Sequence, residues 1–593
     1  MGGKISKAAR EIYFEKTKNI PLQSNKLHIM RFEHFQYQRP DLDLFRQEFE
    51  AQLQAMNDAG SAEAQSQCII AIDELRDAFS SQYNICHIRH TIDTKDSFYE
   101  QENNFFDENM PHYDALNNRF YRALLDSPFR AELEQRWGSQ LFAIANMSLK
   151  TFDPIVLEDL QEENRLSSEY TKLKAAAQIS FRGETHNLSS IYVYEVDSDR
   201  QTRREASTAK WSFFSENDEA IGNLFDQLVK VRHRIATKLG YRNFVELGYA
   251  RMLRADYNAD MVTRYRDQVR QYIVPIAGRL YERQRRRLGL DQLAHYDEEV
   301  RFLSGNPRPH GNSEWIIDQA AGMYAELSPE TGDFFSYMRD NHLMDLLTRP
   351  NKAPGGYCTF IGKYKAPYIY SNFNGTSADI DVLTHEAGHA FQVYSSRDAQ
   401  ISEYHWPTFE ACEIHSMSME FFTWPWMDRF FESEADKHRF VHLNNALCFL
   451  PYGVAVDEFQ HRVYENPDAT PDDRKKMWRD IEKKYLPHRR YEDNHFLENG
   501  GFWYKQSHIF NVPFYYIDYC LAQICAFQFW KRDREDHKAA WGDYVSLCQA
   551  GGSGSFLQLV ELAHLRSPFD GGCVASVVDP IEAWLESVDD SAM

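Results

Sequence analysis

The chain has 593 residues, enough for a large hydrophobic core and for two or more lobes. Its 66 basic and 88 acidic residues give a formal net charge of −22, which disfavours nucleic acid or an anionic membrane as a partner of the body of the protein and mildly favours cationic substrates. No run of about 18 apolar residues occurs, so we expect no transmembrane segment, and we expect no secretory signal.

The cysteines indicate the redox compartment. Nine of them are scattered between Cys68 and Cys573, and none forms a C-x-x-C pair. An odd number without such pairs predicts no disulfide framework. Since disulfides persist only in oxidising compartments, we predict a cytoplasmic protein.

Residues 1–29 differ in charge from the rest of the chain. Lysine and arginine outnumber acidic residues here, so we predict a separate basic extension. Its first residues fit the N-myristoylation pattern M-G-x-x-x-S, with Gly2 as the acceptor. One acyl chain beside a basic patch would give weak membrane attachment, and a solvated extension without lipid is the alternative.

The segment from about Met30 to residue 178 has mostly helical periodicity, as in Leu42–Met56 and Ile69–Ser80. At 179–181 (ISF) and 191–196 (IYVYEV) the pattern changes to β-type residues, which indicates a boundary between lobes. We therefore predict an N-terminal helical lobe over residues 30–185 and a catalytic region over residues 186–593.

The central feature of the chain is a predicted helix over residues 376–395. Its apolar residues recur at steps of three and four, and Thr376 with Asp379 predicts a capping box at its start. His385 and His389 lie one turn apart on one face. Gly388 costs about 1 kcal/mol relative to Ala inside a helix, so we expect another element to pack closely against that turn.

The sequence H-E-A-G-H at residues 385–389 predicts a metal site. Two imidazoles on one helix face can hold one divalent ion, and Glu386 between them can reach a water molecule on that ion. The motif is short, and an amphipathic helix with two surface histidines is the alternative reading. Asp381, four residues before His385, could accept the distal N–H of His385 or be a surface carboxylate.

The segment before this helix predicts a small antiparallel β element. Paired glycines precede Tyr357–Phe360, and a second run of aromatic and β-branched residues follows at Tyr368–Phe373. An exposed sheet edge beside a metal-binding helix can bind an extended peptide by strand addition. Gly355, Gly356 and Tyr357 are therefore candidate substrate contacts.

A catalytic zinc site normally has three protein ligands. A metzincin would have Gly at 392 and His at 395, whereas the chain has Gln392 and Ser395, so the third ligand must lie elsewhere. The next predicted helix begins after Thr408. The candidates on this helix and in the segment just before it are Glu403, His405, Glu410, Glu413 and His415. Spacing alone does not decide between Glu410 and Glu413. Glu413 and Glu420 lie two turns apart on one face, so one could ligate while the other supports a ligand.

Three stretches together resemble the oligoendopeptidase F branch of the thimet-oligopeptidase-like zinc metallopeptidases, which are gluzincins. They are SNFNGTSADIDVLTHEAGHAFQ at 371–392, EACEIHSMSMEFF at 410–422 and HIFNVPFYYIDYCLAQICAFQFW at 508–530. The resemblance covers roughly residues 30–590. It implies a mainly α fold with two helical lobes around a deep channel that admits short peptides.

The resemblance also implies the site. It assigns one Zn²⁺ ion to His385, His389 and Glu413, with Glu420 supporting a ligand. Glu386 then removes a proton from the attacking water and passes it to the leaving amine.

The same resemblance assigns hydrogen-bond donors to the oxygen of the scissile carbonyl. His508 and two tyrosines of the 515–519 segment have this role in the family. We predict Tyr516 and Tyr519 as the donors or substrate contacts, with Tyr515 as a substrate contact and as the alternative to Tyr516.

The leading hypothesis is thus a zinc-dependent endopeptidase that hydrolyses internal bonds of short oligopeptides. An exopeptidase of the dipeptidyl-carboxypeptidase type is the alternative among hydrolases. A non-catalytic peptide-binding protein with a structural metal is the alternative from another class. The sequence does not indicate the oligomeric state.

Overall fold

The computed structural model describes residues 30–593 except residues 189, 350, 354, 591 and 592. The predicted basic extension over residues 1–29, with the proposed acylation of Gly2, lies outside the described residues. The described chain is mainly helical, which confirms the predicted fold class. Among the described helices none is both long and apolar enough to cross a bilayer.

The N-terminal part is a group of helices with its own apolar cluster. Phe49, Ile72, Phe120 and Leu141 lie at its centre with little or no exposure. The helices are α1 (Leu42–Asp58), α2 (Ala62–Ile92), α3 (Ser97–Leu125), α4 (Arg130–Trp137), α5 (Ser139–Leu149) and α6 (Leu157–Ala175). The domain bounds at residues 185 and 186 stay a prediction.

A short hairpin follows, with β1 (Ile179–Phe181) antiparallel to β2 (Glu184–His186). The β-type prediction for 191–196 is wrong, because Tyr192–Glu195 forms the short helix α7. The Asn187 side chain accepts a 2.7 Å hydrogen bond from the Ser190 backbone N–H and starts a helical turn there. Local capping thus outweighs the β propensity of the aromatic and β-branched residues.

Helices α8 to α14 lead to the mixed sheet. They are α8 (Arg200–Glu216), α9 (Asp218–Lys238), α10 (Phe244–Arg251), α11 (Ala259–Gln268), α12 (Val274–Arg287), α13 (Ser313–Leu327) and α14 (Pro329–Asp340). Their apolar faces join a second, larger core, which includes Leu228, Val262 and Phe334.

The sheet beside the predicted metal-binding helix has three strands in the order β3-β5-β4. They are β3 (Met344–Leu347), β4 (Tyr357–Ile361) and β5 (Ala366–Phe373). The antiparallel pairing of β4 with β5 confirms the predicted hairpin, and Tyr357 pairs with Tyr370. β3 was not predicted, and it runs parallel to β5, so the sheet is mixed rather than purely antiparallel.

The remaining helices build the site and its surroundings. They are α15 (Ala378–Ser396), α16 (Phe409–Phe422), α17 (Met427–Phe431), α18 (Ala435–Glu465), α19 (Pro471–Tyr485), α20 (His495–Glu498), α21 (Ser507–Asn511), α22 (Tyr516–Glu535), α23 (His537–Ala550), α24 (Phe556–Leu562) and α25 (Cys573–Ser587). α15 therefore begins two residues later and ends one residue later than predicted.

The start of α15 also differs from the predicted capping box. The Asp379 carboxylate accepts hydrogen bonds from the backbone N–H groups of Asn374 (2.9 Å) and Gly375 (2.8 Å) rather than from Thr376. The Thr376 hydroxyl donates to the Asn374 side chain at 2.7 Å. Asp379 thereby fixes the turn between β5 and α15, and so fixes where α15 begins.

Candidate metal centre

Three side chains from two neighbouring helices meet at one point. His385 and His389 project from one face of α15, and Glu413 projects from α16 towards them. The Nε2 atoms of His385 and His389 lie 3.3 and 3.5 Å from the same atom, Oε2 of Glu413. These residues are the one group among the described residues whose ligand atoms could surround a metal ion.

The spacing of these atoms fits zinc. Ligand atoms of a tetrahedral zinc site with bonds of about 2.1 Å lie about 3.4 Å from one another. The two His-to-Glu413 distances have this value. Imidazole nitrogen and carboxylate oxygen are both ordinary zinc ligands, so the donor set fits as well. Three protein ligands leave the fourth position open, as in catalytic rather than structural zinc sites.

The local electrostatics also favour a cation. Burial opposes ionisation of Glu413, but the neighbouring His389 and His385 hold the pKa of its carboxyl well below the usual value. Burial would lower the pKa of His385, but Glu413 and Glu420 raise it well above its usual value. Glu413 thus places negative charge where the imidazoles converge, and Glu420 places it behind His385.

Two further hydrogen bonds fix Glu413. The Tyr515 hydroxyl donates to Oε1 at 2.7 Å, and the Ser416 hydroxyl donates to Oε2 at 2.9 Å. Ligand carboxylates in metal sites are commonly held in this way. Ser416 was not predicted, although its position three residues after Glu413 on a helix places it on the same face.

Glu420 rather than Asp381 supports His385. The Nδ1 atom of His385 lies 2.7 Å from Oε1 of Glu420. The prediction that Asp381 accepts this N–H is wrong, because the Asp381 carboxylate lies 3.6 Å from Nε2 of His438 on α18 instead. Asp381 and His385 are one helical turn apart as predicted. Glu420, which lies on the neighbouring helix α16, is the carboxylate that reaches His385.

Glu386 lies next to the three ligand atoms and is 8 % exposed. Its Oε2 atom has no hydrogen-bond partner among the described residues. Burial raises the pKa of this carboxyl. A buried carboxylate without a partner and with a raised pKa is suited to accept a proton from a substrate or from water.

The other acidic and histidine candidates do not reach the site. Glu403 binds Arg76 on α2 at 2.7 Å. Glu410 is buried on another part of α16, and its carboxylate oxygens have no partner among the described residues. His415 is fully buried, and its ring nitrogens have no hydrogen-bond partner among the described residues. The His405 ring is tilted against that of Phe360, with 4.9 Å between ring centroids.

The glycines predicted as substrate contacts differ from each other. Gly356 lies against the site, because a Cβ atom there would be 3.6 Å from Oε1 of Glu386 and 3.3 Å from the Tyr370 carbonyl. Gly355 has φ of +106° and nothing within 4 Å of its Cβ position. Its carbonyl accepts a 2.9 Å hydrogen bond from Asn372.

Tyr357 opens the edge strand β4. Its ring stacks on Tyr370 at 4.8 Å, and its hydroxyl is 2.7 Å from the Thr91 hydroxyl on α2. These contacts hold the beginning of β4 in place. A direct substrate contact for Gly355, Gly356 or Tyr357 stays a prediction.

β4 is an edge strand, and it begins next to Gly356, whose Cβ position is 3.6 Å from Oε1 of Glu386. The backbone of Ile369 donates to Leu343 on the β3 side, so Ile369 and its antiparallel partner Cys358 form a pair without mutual hydrogen bonds. The N–H and C=O groups of Cys358 therefore point away from β5. Further along β4, the Phe360 carbonyl points the same way and accepts a 2.8 Å hydrogen bond from Asn84.

The tyrosines near the start of α22 are divided between two environments. Tyr515 contacts Glu413 directly, whereas Tyr516 packs between Phe449 and Tyr452, with ring centroids 5.7 and 5.8 Å away. The ring of Tyr519 lies 5.0 Å from that of Tyr515. Burial and then the charge of Glu413 raise the pKa of Tyr519. A role for Tyr516 and Tyr519 as donors to a substrate stays a prediction.

His508 lies among the same tyrosines, 5.1 Å from Tyr516 and 6.0 Å from Tyr519 between ring centroids. The Gln506 amide is 2.7 Å from Nδ1 of His508, and the Gln506 carbonyl accepts from Tyr452 at 2.9 Å. The amide therefore donates to Nδ1, which leaves Nε2–H of a neutral His508 as a donor. Burial lowers the pKa of His508 and favours this neutral form.

Comparisons with protein-family models cover most of the chain. Residues 32–152 match the model of the peptidase M3 N-terminal domain, and residues 193–578 match the model of peptidase family M3. The oligopeptidase PepF of Bacillus subtilis strain 168 is 22% identical over 577 residues, which cover 90% of this chain and 83% of that protein.

Solved structures are more similar. A structure of PZ peptidase A with an inhibitor is 58% identical with a TM-score of 0.91, and covers 95% of this chain and 100% of its own. A Bacillus anthracis str. Ames protein provisionally described as an oligoendopeptidase F is 54% identical with a TM-score of 0.87, and covers 95% and 99%. The fold described above is therefore shared along nearly the whole chain.

Proposed function

Because the chain belongs to peptidase family M3, we propose that it is a zinc-dependent endopeptidase that hydrolyses internal bonds of short oligopeptides. The observation that carries the proposal is the convergence of His385, His389 and Glu413 beside the unpartnered carboxylate of Glu386. The names of the similar proteins, an oligopeptidase and an oligoendopeptidase, support the substrate class.

His385, His389 and Glu413 would hold the metal ion. A Zn²⁺ ion in such a site supplies a positive charge that lowers the pKa of a water molecule and polarises a carbonyl group. Tyr515 and Ser416 keep Glu413 pointed at the imidazoles. Glu420 keeps Nε2 of His385 turned towards Glu413.

Glu386 is the proposed general base. Its free Oε2 atom removes the proton from the attacking water, and the protonated carboxyl then donates that proton to the leaving amine. Burial removes competing water from the carboxylate and raises its pKa towards the value that suits this exchange. Gly356 leaves the space beside Oε1 open, where a larger residue would crowd the carboxylate.

The edge of β4 is the proposed peptide-binding surface. The N–H and C=O groups of Cys358 point away from β5 and can pair with an extended peptide. Backbone pairing of this kind recognises the main chain and is insensitive to most side chains. His508, through Nε2–H, and Tyr516 and Tyr519 are the proposed donors to the substrate oxygen.

The substitution Glu386→Gln tests the catalytic assignment. The amide keeps the size of the side chain but cannot accept the water proton, so we expect kcat to fall by about 10²–10⁴-fold or more while zinc content stays at the wild-type level. A variant with unchanged kcat would remove Glu386 from the mechanism. A wild-type protein that binds peptides without cleaving them would favour the non-catalytic alternative.

Product mapping separates an endopeptidase from the exopeptidase of the dipeptidyl-carboxypeptidase type. A peptide of about ten residues, acetylated at its N-terminus and amidated at its C-terminus, offers an exopeptidase no free end. We expect cleavage at an internal bond of this peptide. Cleavage only of the version with a free carboxylate, with release of dipeptides, would support the exopeptidase instead.

The proposed location is the cytoplasm. The nine cysteines are free, and six of them are buried. Free cysteines in this number fit a reducing compartment.

A further inference from the structure

Behind the candidate metal centre, four side chains form one continuous hydrogen-bond chain. Nδ1 of His385 is 2.7 Å from Oε1 of Glu420, and Oε2 of Glu420 is 2.7 Å from Nε2 of His442 on α18. The indole N–H of Trp424, in the turn after α16, donates to Nδ1 of His442 at 3.2 Å. His442 and Trp424 have no contact with the three proposed ligands themselves.

The Trp424 indole fixes the tautomer of His442. The indole nitrogen of Trp424 is a donor only, so Nδ1 of His442 must accept and cannot carry a proton. His442 then carries its proton on Nε2 and donates it to Glu420. An ionised carboxylate can only accept hydrogen bonds, so Nδ1 of His385 must also carry a proton and donate. Nε2 is therefore the ring nitrogen through which His385 can offer a lone pair to a metal ion.

We propose, resting on the metal-dependent function above, that Trp424 and His442 are positioning residues that hold the Glu420 carboxylate against Nδ1 of the metal ligand His385 and so set the orientation of its ring. They act through Glu420 and are not themselves proposed metal ligands or substrate contacts. The indole of Trp424 can only donate, so it fixes His442 as the donor to Glu420.

The far end of this chain is shielded from water. Trp424 is 6 % exposed and packs on Trp584 with ring centroids 5.5 Å apart. The His442 side chain is 9 % exposed, and its ring lies edge-on to Phe421 at 5.0 Å. Because Glu420 is itself mostly buried, loss of the His442 donor takes away a hydrogen bond that water replaces poorly.

The test measures zinc affinity by competition with a chelator, without substrate. His442→Leu removes the donor to Glu420, and we expect zinc affinity to fall by about 10–100-fold. His442→Gln can return an N–H group near the position of Nε2, and we expect its affinity to stay within about threefold of wild type. Trp424→Phe keeps an aromatic ring but frees the tautomer of His442, so we expect a smaller loss than for His442→Leu.

His438→Leu is the matched control. His438 lies one turn before His442 on the same helix, is more deeply buried than His442, and faces Asp381 rather than Glu420. We expect its zinc affinity to equal that of wild type. The thermal unfolding of each metal-free variant identifies any variant that does not fold. If His442→Leu does not fold, the zinc affinities of His442→Gln and Trp424→Phe relative to the control test the proposal.

Wild-type zinc affinity in a folded His442→Leu variant would overturn the proposal, as would equal losses for His442→Leu and His442→Gln, because side-chain volume would then explain the effect. Either result would leave the metal-dependent function intact. A wild-type chain that binds no zinc would instead refute the proposed function together with this inference.

Discussion

Gly388 on α15 lies directly against the backbone of His415 on α16. A Cβ atom at residue 388 would be 2.7 Å from the His415 carbonyl oxygen and 2.7 Å from Cα of Ser416. The close approach expected from a glycine inside the helix is therefore found, and the neighbour is the helix that carries Glu413. The same contact that brings the two backbones together sets the distance between Glu413 and the two histidines.

We expect Gly388→Ala to lower both stability and zinc affinity. The added methyl group meets backbone atoms that cannot move aside, so the helices must separate, at a cost of about 1–3 kcal/mol. Gly542→Ala is the control, because Gly542 lies in a helix with nothing within 4 Å of its Cβ position. Calorimetry and chelator competition should give a lower apparent Tm and weaker zinc binding for Gly388→Ala alone. Equal behaviour of the two variants would contradict the account.

Neighbouring tyrosines should differ in what they control. Tyr515→Phe removes the hydrogen bond to Glu413, so we expect zinc affinity to fall by about tenfold. Tyr516→Phe removes a hydroxyl that lies away from the ligands, so we expect unchanged zinc affinity and a lower kcat, through loss of a donor to the substrate. Loss of zinc affinity in Tyr516→Phe, but not in Tyr515→Phe, would reverse this assignment.

Acid should weaken the pair formed by Glu298 and Arg489. Oε2 of Glu298 is 2.6 Å from Nη2 of Arg489, and both side chains are buried. Burial alone would raise the pKa of Glu298, but Arg489 holds it well below the usual value. The stabilisation is therefore complete above the unfolded pKa of about 4.3, and it is lost as pH falls below that value towards the folded pKa.

Glu298→Gln should thus cost about 3 kcal/mol of stability at pH 7 and less in acid. The measurement is the difference in apparent Tm between wild type and variant at pH 7 and at about pH 4, just below the unfolded pKa. Glu299→Gln, at the exposed next position, should change little at either pH. If the difference in apparent Tm between wild type and Glu298→Gln does not shrink in acid, the ion pair is not the cause of the lost stability.

Local patterns predicted the elements that hold the ligands. The periodicity around His385 and His389 predicted α15, and the apolar run after Thr408 predicted α16. The choice of Glu413 over Glu410 on α16 came from the family resemblance. The start of α15 was less predictable. The Asp379 carboxylate accepts hydrogen bonds from the backbone of Asn374 and Gly375, and the same residues, Thr376 and Asp379, would also fit a capping box.

Contacts between distant segments could not be predicted from spacing. Trp424 and His442 join the site only because α18 packs beside the turn after α16, and no periodicity relates residue 442 to residue 385. Spacing leaves the choice between Tyr515 and Tyr516 open for a similar reason. Phe514 has φ of +69°, so the chain turns irregularly just before α22 and helical spacing cannot be extended back through it.

The most direct test of the metal centre is the zinc content of purified wild type, Glu386→Gln and Glu413→Ala at a fixed free-zinc concentration. The account predicts one ion per chain in wild type and in Glu386→Gln, and little or none in Glu413→Ala, since the last variant loses one of three ligands. A full complement of zinc in a folded Glu413→Ala variant would contradict it.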